Sequence, residues 1–324
     1  MRSYCVFCKE GSVIMKIVFL DRKTIGQDMD LSMFQELGEV VEYDFTKANE
    51  VPERVQDADV LIINKVPINE QTVGTAKNLK LVCVTATGTN NLDKEFLEKQ
   101  GIAWRNVAGY STETVAQHTF AMLFYLLESL AYYDQYVKSG SYINDTIFSH
   151  FSTSFHELHG MTWGIIGLGA IGRRVAEIAT AFGCNVQYYS TSGKNSNSKY
   201  KRVELDELLS TSDIVSIHAP LNEQTEGLIN KEALAKMKKS AILLNVGRGP
   251  IIVEEDLAKA LQNETIKAAG LDVLCAEPMS ENNPLFEIKD STKLFISPHM
   301  AWASLEARTR LMQTIFEQVR DFFA

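Results

Sequence analysis

From residue 15 onward, short aliphatic runs alternate with stretches whose apolar positions recur every three or four residues. In the first third the runs fall at 16–20, 40–45, 60–64, 80–85 and 102–104, and the helical spacing at 31–37, 70–77 and 93–99. Runs that are apolar at nearly every position, separated by helices, predict a parallel sheet covered on both faces. A second series gives strands at 162–166, 185–189, 213–217, 241–245, 268–273 and 294–297, with helices at 205–209, 231–237 and 254–261. That repetition of βα units predicts a doubly wound α/β sheet. An amphipathic helix follows at 305–323. Between the two series a single long helix is predicted over 112–139, with Ala116, Phe120, Leu123, Leu126, Leu127 and Leu130 on more than one face. Such breadth means burial on several sides, in the protein's own core or against a second subunit, and a homodimer is the expectation. Residues 139–155 are polar, aromatic and irregular, and read as a loop.

The strand at 162–166 runs straight into Gly167-Leu168-Gly169-Ala170-Ile171-Gly172 and then into the helical stretch 173–179. A strand, G-x-G-x-x-G and a helix together form a dinucleotide site. Gly167 permits the tight turn, Gly169 lets backbone approach a pyrophosphate, and Gly172 lets the helix lie close to the strand. The diphosphate then rests on the free N–H groups of the helix start. The usual acid that binds the ribose 2′-hydroxyl, about 20 positions on, is replaced here by Ser190. Ser190, Thr191 and Lys194 form a turn with hydroxyls and a cation, which suits a 2′-phosphate as well as a plain ribose. The cofactor is therefore expected to be NAD(H) or NADP(H).

A length of 324 residues favours two domains, and 45% hydrophobic with 23% charged residues is ordinary for a globular protein. The net charge of −9 argues against a nucleic-acid partner. No apolar run approaches the ~20 residues of a membrane span, and residues 1–10 lack the form of an export signal, so a cytoplasmic protein is expected. The five cysteines (Cys5, Cys8, Cys83, Cys184 and Cys275) have no framework spacing and read as reduced thiols. Cys5 and Cys8 form an isolated C-x-x-C within residues 1–14, which read as an N-terminal extension without catalytic part. No metal site is expected.

Three further segments sit at strand ends, where open α/β sheets bind ligands. Asn245-Val246-Gly247-Arg248-Gly249 offers a guanidinium that can fork onto a carboxylate. Asp272 ends the next strand, with Glu277 shortly after it. Ser297-Pro298-His299 places an imidazole after the last strand.

These pieces, with Glu254-Glu255-Asp256-Leu257, Gly270-Leu271-Asp272-Val273 and Glu277-Pro278, resemble the D-isomer-specific 2-hydroxyacid dehydrogenase family over residues 15–324. The wording is most similar to hydroxypyruvate/glyoxylate reductases and D-glycerate dehydrogenases. The resemblance implies a Rossmann cofactor domain (112–297) inserted into a flavodoxin-like substrate domain (15–111 and 298–324), with hinges at 106–112 and 297–299. It implies that Arg248 holds the carboxylate of a small 2-keto acid, that His299 supplies the proton, and that Glu277 stabilises the imidazolium. It further implies cofactor contacts from Thr112, Ala170, Ile171, His218, Ala219, Pro220, Val246, Gly247, Arg248, Asp272 and His299. Ala86, Thr87 and Gly88 are implied as further substrate contacts, beside Arg248 and His299. Trp302 is bulky, and reads either as a wall of a small pocket or as packing under the last helix. Formate dehydrogenases of similar sequence carry glutamine where Glu277 stands, which favours keto-acid reduction. The alternatives are a D-lactate or other D-2-hydroxyacid dehydrogenase, or a dinucleotide-sensing corepressor of the same fold.

Overall fold

The structure, a computed structural model, describes residues 14–194 and 196–324. Cys5, Cys8 and all but Ile14 of the expected extension lie outside the described residues. The chain divides into two compact units, one running to Ser111 and resuming at Ala303–Ala324, the other comprising Thr112–Trp302.

The first unit holds strands β1 (Lys16–Phe19), β2 (Glu39–Glu42), β3 (Val60–Ile63), β4 (Leu81–Val84) and β5 (Ala103–Arg105) in the order β2-β1-β3-β4-β5. All neighbours are parallel. This is the flavodoxin-like order. β3 and β4 are buried at every position, because helices cover both faces of the central strands. The helix Leu305–Phe323 belongs here and buries Ala307, Leu311, Met312, Ile315 and Val319, a stripe at helical spacing. Its start is capped by Ser304, which accepts the Ala307 N–H at 3.2 Å. Two helices expected from spacing are smaller than predicted. Residues 31–37 form only a 3₁₀ turn, Ser32–Glu36, with one buried anchor, Phe34. The helix at 70–77 stops at Val73, where Gly74 follows.

The second unit holds β6 (Thr162–Ile166), β7 (Asn185–Tyr189), β8 (Lys201–Arg202), β9 (Ile214–Ile217), β10 (Ile242–Asn245), β11 (Ala268–Leu271) and β12 (Leu294–Ile296). The sheet order is β12-β11-β10-β9-β6-β7-β8, again all parallel. Counted within the unit this is 3-2-1-4-5-6 with a seventh strand added, the dinucleotide-binding order. β8, only two residues long and exposed, has no apolar run to announce it.

The predicted single helix over 112–139 is two helices, Thr112–Leu127 and Leu130–Lys138. Ser129 stands between them with φ 54°, a left-handed conformation that no helix continues through. The breadth of apolar surface on the first helix is used within its own unit, where it packs on β10, β11, β12 and the helix Ala170–Ala181. The second helix buries none of its residues. The segment beyond it is nevertheless organised. The Tyr136 ring stacks on His150 with centroids 3.8 Å apart, and its hydroxyl donates to Asp145 at 2.6 Å. Ile143, Phe148 and Phe151 point outward from that segment, 84%, 90% and 85% exposed.

Candidate active site

The glycine loop follows β6 at its carboxyl end, where β6 and β9 lie side by side and the strand order reverses. Gly167 has φ 92°, and a Cβ there would stand 2.8 Å from the Ala219 backbone nitrogen. Only glycine accommodates both the turn and the approach of the chain leaving β9. Gly172 is pressed against the Gly167 carbonyl, so the helix Ala170–Ala181 starts hard against its strand. Gly169, the residue before that helix, faces open space and provides no side-chain cap. The first N–H groups of Ala170, Ile171 and their neighbours are thus left to an external acceptor.

Two buried polar atoms on the same sheet edge also have no partner among the described residues: Ser190 Oγ and His218 Nδ1. Ser190 directly follows β7 and is 3% exposed. Its turn closes through Gly193 N–H to the Ser190 carbonyl at 3.1 Å, and Arg202 of β8 donates to the Gly193 carbonyl at 2.9 Å. Arg202 therefore adds a second cation beside Lys194, which the sequence reading missed because β8 itself was not foreseen. Thr191 is partly buried and Lys194 exposed. His218 follows β9, with Nε2 2.9 Å from Ser216 Oγ, which also accepts the Trp163 indole N–H at 2.8 Å. Burial pushes the His218 imidazolium down to about 3, so the ring is neutral. Ala219 is buried and Pro220 exposed, with the Pro220 carbonyl accepting the Thr225 hydroxyl at 2.7 Å. An uncapped helix start, an open glycine and two orphaned polar atoms suit a dinucleotide.

After β10 the loop is shaped by Asn245, which is 1% exposed. Its Nδ2 donates to the Arg248 carbonyl at 2.9 Å and its Oδ1 accepts the Gly247 N–H at 3.0 Å. Val246 and Gly247 are fixed by that clasp. Arg248 Nη1 donates to the Gly247 carbonyl at 2.7 Å, and no ion pair among the described residues engages the guanidinium. It remains available to an anion.

His299 has φ 52°, unusual for a residue with a Cβ. Asp272, 2% exposed after β11, holds it there. Its Oδ1 accepts the Ser297 hydroxyl at 2.7 Å and the Met300 N–H at 2.9 Å; its Oδ2 accepts the Ala301 N–H at 3.0 Å. The Asp272 carbonyl takes the His299 N–H at 2.9 Å. His118, from the helix Thr112–Leu127, stands 2.8 Å from Ser297 Oγ and completes the network. Residues 298–302, expected with the first unit, accordingly pack in the second. Trp302 is a brace: its indole N–H donates to the His299 carbonyl at 2.9 Å.

The His299 ring pairs through Nδ1 with Glu277 Oε2 at 2.6 Å, and Nε2 has no partner among the described residues. Asp272 and His118 as holders of the histidine turn were not foreseen, since their contacts join positions far apart in sequence. Thr112 begins its helix in this unit. Ala86, Thr87 and Gly88 lie in the first unit after β4, with Thr87 Oγ1 donating to the Val107 carbonyl at 2.9 Å. No group of three or more His, Cys, Asp or Glu side chains that could hold a metal occurs among the described residues.

Residues 120–301 match the family described as D-isomer specific 2-hydroxyacid dehydrogenase, NAD binding domain. The chain is similar to a hydroxypyruvate reductase of Blautia hydrogenotrophica, 38% identical, with 95% of this chain and 97% of that protein covered. A glycerate dehydrogenase of Methylorubrum extorquens is 36% identical, covering 95% of this chain and 96% of its own. Among solved structures, a D-lactate dehydrogenase of Aquifex aeolicus complexed with NAD and lactic acid superposes with a TM-score of 0.83 at 26% identity, covering 95% of each chain. The matched profile, the extent of these similarities and the sheet order agree, and the chain belongs to the D-isomer specific 2-hydroxyacid dehydrogenase family.

Proposed function

We propose that the protein is an NAD(P)H-dependent reductase of small 2-keto acids, of hydroxypyruvate or glyoxylate type, forming the D-2-hydroxy acid. The observation that carries this reading is the His299–Glu277 pair, held in the same unit as the glycine loop and an unpaired Arg248. Glutamate rather than glutamine beside the histidine favours a proton donor.

In this reading Arg248 binds the substrate carboxylate through its guanidinium fork. Ala86, Thr87 and Gly88 are proposed as further substrate contacts. With Nδ1 committed to Glu277, Nε2 of the imidazolium is the atom that donates to the keto oxygen. Glu277 stabilises the cation before transfer and keeps the ring oriented. Thr112, Gly167, Gly169, Ala170, Ile171 and Gly172 would hold the cofactor with His218, Ala219, Pro220, Val246, Gly247 and Asp272. Ser190, Thr191 and Lys194, joined by Arg202, would receive its ribose end. When bound, the reduced nicotinamide supplies the hydride that adds to C2.

A homodimer is part of the proposal. The outward Ile143, Phe148 and Phe151 of an internally bonded segment favour a second copy as their cover; the mass in solution checks it. No helix among the described residues is long and apolar enough to cross a membrane. The free thiols of Cys83, Cys184 and Cys275 suit the reducing cytoplasm. The test of function is loss of the reduced-nicotinamide absorbance with a panel of 2-keto acids and both cofactors. Binding of NADH without turnover of any keto acid would instead support a dinucleotide sensor.

A further inference from the structure

Glu254 opens the helix Glu254–Gln262 yet is only 7% exposed, and its carboxylate is not spent on capping that helix. Its Oε1 accepts the Cys275 N–H at 2.8 Å, and its Oε2 accepts the Asn283 side-chain amide at 2.7 Å. Asn283, also 7% exposed, uses its own Oδ1 to accept the Leu285 N–H at 2.9 Å, which starts the 3₁₀ turn Pro284–Glu287. One buried carboxylate thus ties down both ends of the loop from Cys275 to Asn283. Glu277 lies inside that loop. Its Oε1 accepts the Leu274 N–H at 3.0 Å, so the orientation of its other oxygen toward His299 depends on where the 274–277 turn sits. Gly249 adds a second constraint: a Cβ there would collide with the Leu274–Cys275 peptide, so the Arg248 loop packs directly on the same turn.

We propose that Glu254 is a positioning residue for the reaction, a clamp that holds the Glu277 loop so that its carboxylate meets the His299 ring. The proposal rests on the keto-acid reductase reading for its kinetic consequence, and on the geometry alone for its structural one. A charged acceptor held between two donors is worth more than a neutral one, because each bond is charge-assisted. Loss of the clamp frees the loop at both ends, and a displacement on the order of 1 Å at a reacting group costs up to about 100-fold in rate.

The test compares wild type with Glu254→Ala, Asn283→Ala, Glu277→Gln and the Glu254→Ala/Glu277→Gln double variant. Two readouts are used: kcat for keto-acid reduction, and the His299 ring proton resonances, assigned with His299→Asn. Glu254→Ala is expected to lower kcat by about 10–100-fold, to leave cofactor affinity unchanged, and to move the His299 resonances toward their positions in Glu277→Gln. Asn283→Ala, which keeps the Cys275 bond, moves them the same way by less, and it carries the test should Glu254→Ala not fold. In the double variant the Glu254 substitution adds nothing, because the group it acts through is already gone. His299 resonances unchanged in Glu254→Ala and in Asn283→Ala, or full additivity in the double variant, would overturn the clamp. Absence of turnover in wild type would count against the reductase reading, and the resonances would still decide the clamp.

Discussion

Glu277 Oε2 stands 2.6 Å from His299 Nδ1, and the other oxygen of the same carboxylate accepts the Leu274 N–H. The imidazole is therefore held by a group that is itself held, and its remaining nitrogen has no partner among the described residues. A neutral amide in place of the carboxylate keeps the shape and removes the negative charge beside the ring. Glu277→Gln is expected to reduce kcat for reduction by about 10-fold or more, within the range for a perturbed general acid, with little change in cofactor binding. An unchanged kcat would mean that the pair is structural.

Arg248 has its backbone clasped by Asn245 and its guanidinium unpaired by any acid among the described residues. Arg248→Ala should raise KM for the keto acid by about 10–100-fold, the equivalent of one or two charge-assisted bonds. Arg248→Lys should recover part of this, since a point charge replaces a fork. Steady-state kinetics with saturating cofactor measures both, and an unmoved KM would direct attention to another anchor.

Asp272 can act on the cofactor, on the turn that carries His299, or on both. Its four bonds to Ser297, His299, Met300 and Ala301 involve both carboxylate oxygens and its carbonyl. They offset the left-handed backbone of His299, which costs about 1–2 kcal/mol. Asp272→Asn places an amide donor against a backbone donor and should destabilise the protein by about 1–3 kcal/mol, while kcat falls. Urea unfolding and kinetics on the same sample separate the roles. Lower kcat at unaltered stability would assign Asp272 to the cofactor alone.

His218 is expected to add to the protein's acid sensitivity. Burial holds its imidazolium down at about 3, whereas the unfolded chain binds that proton near the ordinary value of about 6.5. Between those two values the unfolded state carries a proton that the folded state does not, so this group's contribution to stability is intact at neutral pH. It is lost progressively as pH falls below about 6.5. Replacing His218 by Asn should shrink the loss of stability between pH 7 and pH 5 by at most about 2 kcal/mol. Urea midpoints at both pH values check it, and an equal loss in both proteins would contradict the assignment.

The glycine loop and the strands that flank it were legible in the sequence because their signal is local: a fixed spacing, read along a few residues. Arg248, Glu277 and His299 were legible only jointly, through motifs in order. What escaped is what tertiary structure imposes. Nothing near Ser129 announces its left-handed turn, and Lys201–Arg202 joins the sheet with no apolar face of its own. Trp302, read from its bulk as a pocket wall or as packing, spends its indole N–H on the His299 carbonyl. The resemblance implies a cofactor contact for Asp272, but nothing local announces its hold on the histidine turn, because its partners Met300 and Ala301 lie 28 and 29 residues away.

His299 is proposed as the proton donor, and kcat of His299→Ala, measured beside its affinity for the reduced cofactor, tests that role most directly. Turnover of hydroxypyruvate or glyoxylate is expected to fall by about 10²–10⁴-fold while the cofactor still binds. Turnover within a few-fold of wild type would contradict it.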